Sequence, residues 1–340
     1  MMTERPRLTP AVADVRRAIR ENLADLSADS LVMVGLSGGP DSLALAAGLA
    51  FEAPRAGLRA GAVIVDHGLQ AGSAEVAQAA ADAARDLGLD PVLIRRVTVI
   101  AMDGPEADAR TARYGAFEEV ISELGVVAVL LGHTLDDQAE TVLLGLTRGA
   151  GATSLSGMKP INGVYRRPLL GLRRSTTVAA CADQGRAPWN DPHNDDPHFT
   201  RVRIRQNVLP LLEKELGPGV TEALARTAEQ LQLDAEVLDN LAAEVMPTVL
   251  IPVRGESGVR SATLKISELE QLPDAVLNRV IRRSALEVFG VSLSATHTTA
   301  ISRLVTDWHG QGEAHLPGIR VERQGGQLVL TSPVTAQPEA

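Results

Sequence analysis

Cysteine is almost missing from this chain. Its 340 residues include one, Cys181, which excludes a disulfide framework, a zinc–cysteine cluster or an iron–sulfur centre held within a single chain. Aromatic residues make up only 2%, so platforms for base stacking are few. No apolar run reaches ~18 residues, and no membrane span is expected. The N-terminal stretch MMTERPRLTPAVADVRRAIREN lacks the apolar core of a signal sequence and reads as an amphipathic helix, so a cytoplasmic protein is expected. A basic surplus is lacking too. The formal net charge of −9 argues against a generic nucleic-acid coat, but it leaves room for a local basic face, because only the field at the contact matters.

What is present is ample apolar material, 45% of the residues, in a chain long enough for two or three domains. Strand-like runs at 31–36, 61–66, 91–97 and 126–131 alternate with alanine-rich helical patterns near 41–52, 73–87 and 106–124. This alternation predicts an α/β fold, a Rossmann-like parallel sheet with helices on both faces. In such sheets ligands bind beyond the carboxyl ends of the strands. The unusual polar residues fall there: 37–42 after the first strand, 66–68 after the second, 132–133 after the fourth. From 150 to 210 the pattern breaks, and RAPWNDPHNDDPHF reads as a long polar loop of the kind usually functional or disordered. A boundary is placed near 215, at ELGPGV, giving a nucleotide-binding domain 1–215 and a smaller domain 216–340. The second is expected to be mostly helical (219–246, 273–289, 295–307), with a linker at 252–258 and short strands at its end, where QGG reads as a hairpin turn.

Two motifs carry chemistry. In LSGGPDSLAL (36–45), the small residues Ser37, Gly38, Gly39, Pro40 and Ser42 allow backbone N–H groups to converge on an anion at a helix N-terminus. The loop has no lysine, so it is not the common G-x-x-x-x-G-K-[ST] loop. Asp41 beside a phosphate is repulsive unless a cation lies between them, and Mg²⁺ suits both oxygen types. The plainer reading is a strand–helix turn with Asp41 as a cap. The second motif, GHTLDDQAETVLLGLTRGAG (132–151), offers Gly132, His133, Asp136, Asp137 and Glu140. At spacings of three and four the acids share a helix face. Acids in a first turn are also ordinary capping chemistry. Asp66 and His67 stay open between nucleotide contact and strand-end capping.

S-G-G-x-D-S resembles the pyrophosphate loop of the N-type ATP pyrophosphatases, or PP-loop superfamily, which cleave ATP between the α and β phosphates. Within it, GHTLDDQAET resembles the G-H-x-x-D-D-x-x-E-T motif of the tRNA(Ile)-lysidine synthases. VDHGLQ resembles that family's V-D-H-G-L-R, and EADARTARYGAFEEV its E-x-x-A-R-x-x-R-Y helix with Arg110 and Arg113. RRPLLGLRR resembles its R-P-L segment, and DPHNDDPHFTRVRIRQNVLPLL its D-P-x-N…R-N-x-I-R…L-P-x-L segment. Val202 departs from the pattern, standing where the family often has Asn. The likeness covers 30–215 firmly and the rest loosely, and it implies the short form without a second C-terminal domain.

The resemblance implies adenylation of the wobble cytidine in a tRNA(Ile) with a CAU anticodon, then displacement of AMP by the side-chain amine of L-lysine, with ATP and Mg²⁺ required. It assigns Asp41 and Asp137 to Mg²⁺ through the phosphates. Ser37 to Ser42, Asp66, His67, Arg113, Gly132 and His133 are assigned to ATP, and Asp137 and Glu140 to lysine. Asp41, His133, Asp137, Glu140 and Arg205 form the expected catalytic group. Arg166, Arg173, Arg174, Arg201, Arg203 and Arg205 are expected to meet tRNA, the last three from one face of an extended segment, and 278–283 to meet the tRNA body. His193 and His198 read as loop chemistry rather than metal ligands. A homodimer is left open. The competing reading is a tRNA 2-thiolation enzyme using the same adenylation. Such enzymes generally need catalytic or cluster-binding cysteines, whereas Cys181 sits alone in a helical pattern far from any loop motif and reads as packing. An amidating synthetase would need an ammonia source, and a non-catalytic nucleotide binder would not need Asp41 and Asp137.

Overall fold

The computed structural model describes residues 8–68, 72–100, 102, 104–147, 151–191, 195–254 and 260–332. Contacts divide the chain into two compact units, one of residues 1–150 with 154–229, the other of 151–153 with 230–340. The division falls inside one long helix, Val220–Val249.

The first unit carries a six-stranded sheet: β1 (Leu31–Gly35), β2 (Arg59–Asp66), β3 (Val92–Arg96), β4 (Ala128–Leu130), β5 (Ile161–Asn162) and β6 (Tyr165–Arg166), in the order β3-β2-β1-β4-β6-β5. All its pairings are parallel except the β5–β6 edge. β1 shows why both faces are covered. Side chains alternate along a strand, and Val32 and Val34 join one apolar core while Leu31 and Met33 join another. The first core receives the helices Pro10–Leu23, Pro40–Glu52, Ser73–Asp86 and Arg174–Asp183; the second receives Pro105–Leu124 through Phe117 and Val120. Helix Pro10–Leu23 starts where the sequence provides a Thr9 cap and a proline at N1, and it buries Val12, Val15, Ile19 and Leu23 along one stripe.

The second unit departs from the expected linker and late strands. Leu250–Arg254 is β7, an edge strand paired antiparallel with β8 (Arg260–Lys265), so the supposed linker at 252–258 begins inside a sheet. With β9 (Ala314–Leu316), β10 (Ile319–Gln324) and β11 (Gln327–Thr331) they form a five-stranded antiparallel sheet, order β7-β8-β11-β10-β9. The QGG turn does close a hairpin, between β10 and β11. Helices Asp274–Phe289 and Ala295–Thr306 contribute Leu277, Val280, Ile281, Ile301 and Leu304 to this unit's core, beside Leu264, Val321 and Leu330 from the sheet. No helix among the described residues is long and apolar enough to cross a membrane.

Candidate active site

The carboxyl ends of β1, β2 and β4 open onto a cavity of about 890 Å³ in the first unit. Its floor is the loop after β1. Gly38 holds φ +85°, a backbone that a side chain would strain. Pro40 starts the following helix. Ser42 Oγ accepts from Ser37 N–H at 3.2 Å, donates to Gly39 O at 3.0 Å and lies 3.1 Å from Ser37 Oγ, so the turn is laced from within. Gly132, at the end of β4, presses on that helix start. A Cβ there would meet Ser42 N at 3.0 Å and Asp41 C at 3.1 Å. Glycine therefore brings the two motifs into contact. Trp189 N–H donates to Gly38 O at 2.9 Å, fixing the polar 187–191 stretch over the loop and on the cavity lining.

One wall is acidic and crossed by two arginines. Arg174 Nε reaches Asp41 Oδ2 at 3.1 Å, its Nη2 reaches Asp137 Oδ1 at 2.6 Å, and its Nη1 lies 3.7 Å from Glu140. Arg205 meets Glu140 with two N–H groups at 2.7 and 3.1 Å. Thr177 Oγ donates to Asp41 Oδ1, and Asp137 accepts from Thr134 N–H at 2.8 Å and its hydroxyl at 2.7 Å. Burial pushes the carboxyls of Asp41 and Glu140 upward against these partners. Burial opposes ionisation of Asp137 as well, but Arg174 and the Thr134 N–H outweigh it and hold this carboxyl below its ordinary value. Asp41 and Asp137 thus converge on one point already occupied by positive charge. Carboxylate oxygens around such a point suit a divalent cation completed by phosphate oxygens. Among the described residues no group of three or more His, Cys, Asp or Glu could hold a metal unaided, so any Mg²⁺ here would be shared with its ligand.

The other wall is basic. His133 follows Gly132 and is half-buried. Desolvation, with help from Arg167, Arg113 and Arg110, holds its imidazole down to about 3 against the pull of Asp137. Its Nδ1 has no hydrogen-bond partner, nor has Nδ1 of His67, whose pKa burial and Arg113 also lower. Both histidines are therefore neutral at ordinary pH and face the cavity beside Arg113. Tyr114 gathers the outer cations, accepting from Arg110 at 3.3 Å and from Arg167 at 3.4 Å. Asp66 lines the cavity while accepting from Gly68 N–H at 2.9 Å, and with the Ser73 hydroxyl this holds it ionised in spite of burial. Cap and cavity residue are thus one and the same here.

The arginines expected to meet RNA are spread over different environments. Arg166 is buried, with two N–H groups on Asp25 at 2.6 and 2.8 Å, so an RNA role does not fit its burial. Arg174 belongs to the acid wall, a place no local pattern in RRPLLGLRR signals. Nor does any local pattern signal Thr177, one turn beyond it, whose hydroxyl holds Asp41. Arg173 pairs with Glu222 at 2.6 Å and Asp136 at 3.2 Å. The segment 200–208 is helical rather than extended: Thr200–Arg203 runs into a wide turn, Ile204–Val208. Arg203 folds back on the Pro197 and His198 carbonyls at 2.7 and 2.8 Å, and Arg205 turns into the cavity. Val202, the departure from the pattern, is packed in the interior. His198 is exposed beside Asp196, while His193, Leu69 and Gln70 lie outside the described residues. In the second unit Arg279 pairs with Asp239 and Arg283 with Glu287. Cys181 is buried, but not far from the loop: its thiol lies 3.4 Å from Pro40 O, and burial pushes it up to about 11.

Comparison with known proteins agrees with this geometry. Residues 12–212 match the family described as PP-loop domain, and residues 264–329 match the TilS substrate binding domain. The chain is 57% identical over 305 residues to a tRNA(Ile)-lysidine synthase of Leifsonia xyli subsp. xyli, spanning 90% of this chain and 91% of that one. It is 51% identical over 326 residues to the protein of that name from Thermobifida fusca, spanning 95% and 98%. Among solved structures it is similar to the U34-tRNA thiolase NcsA from Methanococcus maripaludis, with TM-score 0.55 and 20% identity over 65% of this chain and 79% of that one, a likeness of fold.

Proposed function

The chain belongs to the tRNA(Ile)-lysidine synthases, ATP-using ligases that form lysidine on tRNA, and on that footing we propose how its cleft performs the reaction. The substrates are ATP, free L-lysine and a tRNA(Ile) with a CAU anticodon. The products are AMP, pyrophosphate and lysidine at the wobble cytidine, which moves decoding from AUG to AUA. The observation that carries this reading is the meeting of the lysine-free phosphate loop with the Asp137–Glu140 helix across one cavity.

In the first step the C2 oxygen of cytosine attacks the α phosphate and the bond to pyrophosphate breaks. Backbone N–H groups of Gly38, Gly39, Asp41 and Ser42, at the start of the helix that Pro40 opens, receive the departing pyrophosphate. Negative charge grows on the α phosphate, and Arg113 with neutral His133 faces it. Donors fixed in advance at such a point are the strongest aid to a reaction of this kind. Asp41 and Asp137 would hold Mg²⁺, whose chemistry here would be to offset charge on the leaving group. In the second step the lysine amine, freed of its proton, bonds to C2. The C2–O bond breaks, and the former cytosine oxygen leaves as part of AMP. Asp137, a largely buried acid that still lines the cavity, receives the ammonium. Glu140 has a fully buried side chain behind Arg174 and Arg205, so it adds charge to that pocket from the rear. The second unit meets the tRNA body through the segment 278–283.

Incubation with ATP, labelled lysine and total tRNA tests the reading. Label should enter RNA with one AMP and one pyrophosphate per lysine. ADP and phosphate as the sole products, or sulfur in place of lysine, would overturn it. The thiolation reading finds little support at Cys181, whose raised pKa and packed position suit a core thiol.

A further inference from the structure

The two arginines of the acid wall are not equivalent. Arg205 faces Glu140 and approaches Asp137 only at 3.7 Å. Arg174 joins the two motifs, with Asp41 of the phosphate loop on one side of its guanidinium and Asp137 of the facing helix on the other. Its own position is fixed by the backbone. Its N–H donates to Asp136 Oδ2 at 2.8 Å, and the hydroxyl of Thr177, one turn on, also holds Asp41. The side chain nevertheless lines the cavity and is 22% exposed, so it has somewhere to go.

Three carboxylates, Asp41, Asp137 and Glu140, face two guanidiniums, leaving one net negative charge. A divalent ion arriving with ATP would be held by oxygens of Asp41 and Asp137 together with those of the phosphates. The carboxylate lone pairs are those Arg174 holds, and two cations at such close range repel. We propose, resting on the function proposed above, that Arg174 is the resident counter-cation of the ligand-free site. As a positioning residue it keeps Asp41 and Asp137 aimed at one point, and it yields them to the metal that accompanies the nucleotide. Metal and arginine are then competitors, and Arg174 sets how much Mg²⁺ the enzyme needs.

The test is equilibrium binding rather than turnover. The probe is α,β-methylene-ATP, which cannot be cleaved between those phosphates, titrated with Mg²⁺ by calorimetry, with Trp189 on the cavity lining as a fluorescence reporter. Wild type should bind the analogue with a clear Mg²⁺ half-saturation point. In Arg174→Gln this point should fall about fivefold or more, because the competitor is gone, a change on the scale of one ion pair. Arg174→Lys keeps a charge but cannot span both acids. It should also lower the point, by less, and it serves if the Gln variant does not fold. An arginine that only braced the fold would leave the metal requirement where it was or raise it. An unchanged or raised half-saturation point in whichever variant folds therefore overturns the inference alone. Wild type that does not bind the analogue at any Mg²⁺ concentration overturns the nucleotide reading and the inference with it.

Discussion

The two walls of the cleft handle charge in opposite ways. On the acidic wall each carboxylate has a cation or an N–H within the protein itself, as the Asp41–Arg174–Asp137 chain shows. On the basic wall Arg110, Arg113 and Arg167 crowd a histidine that they help keep neutral, and two ring nitrogens stay without partners. Buried groups are normally paired, because leaving one unpaired costs about 1–3 kcal/mol. The acidic wall is therefore organised in advance, while the basic wall is complementary to an anion that must be brought. This matches the order of the proposed chemistry: the nucleotide completes the basic wall first, and the ammonium of lysine meets an acid pocket already shaped.

The sharpest way to break the contrast is Asp41→Asn, which keeps size and removes charge where phosphate, cation and Arg174 meet. AMP formation at saturating lysine should fall by about 10²-fold or more, the scale of losing one well-aimed electrostatic contact. Full activity in a folded variant would mean that the loop is only a turn. Glu140→Gln weakens the same wall from behind. It should raise the KM for lysine roughly tenfold, about 1.4 kcal/mol, and change AMP release at saturating lysine little. An unchanged lysine KM would remove Glu140 from the pocket.

The basic wall is tested by acid. His133 is held at about 3, below its ordinary 6.5, so the folded state resists its protonation. Its contribution to stability is complete above pH ~6.5 and is lost progressively as pH falls toward 3. His133→Asn removes that loss. Between pH 7.5 and 5, wild-type Tm should drop further than that of the variant, and equal slopes by thermal denaturation would contradict the assigned neutrality. The smallest effect belongs to Cys181→Ser. The thiol packs under the loop without a place in the chemistry, so activity should stay within a few-fold and Tm should fall slightly. Total loss of activity in a folded protein would revive the thiolation reading.

The sequence made the first four strands and the residues at their carboxyl ends legible because both signals are local: β-branched runs, then small or acidic residues. It did not reveal β7 and β8: Pro252 in the first and the polar residues of the second resemble a linker, and β8 finds its other partner, β11, far along the chain. TRVRIR looked extended because alternation over so few residues fits either period. Val202, Ile204 and Leu209 go inward, and the chain coils to bury them. The partners of Arg166 and Arg174 are not legible in the sequence for one reason. A cluster of arginines says nothing about which acid, more than a hundred residues away, will claim each of them.

The wide turn at Ile204–Val208 that points Arg205 inward has a consequence in time. Asp41 and Arg174 are 133 positions apart, and Arg205 comes later still. Translation delivers the chain from its N-terminus. Residues 37–42 are therefore made well before either arginine of the acid wall, and that wall is complete only once Arg205 has been made.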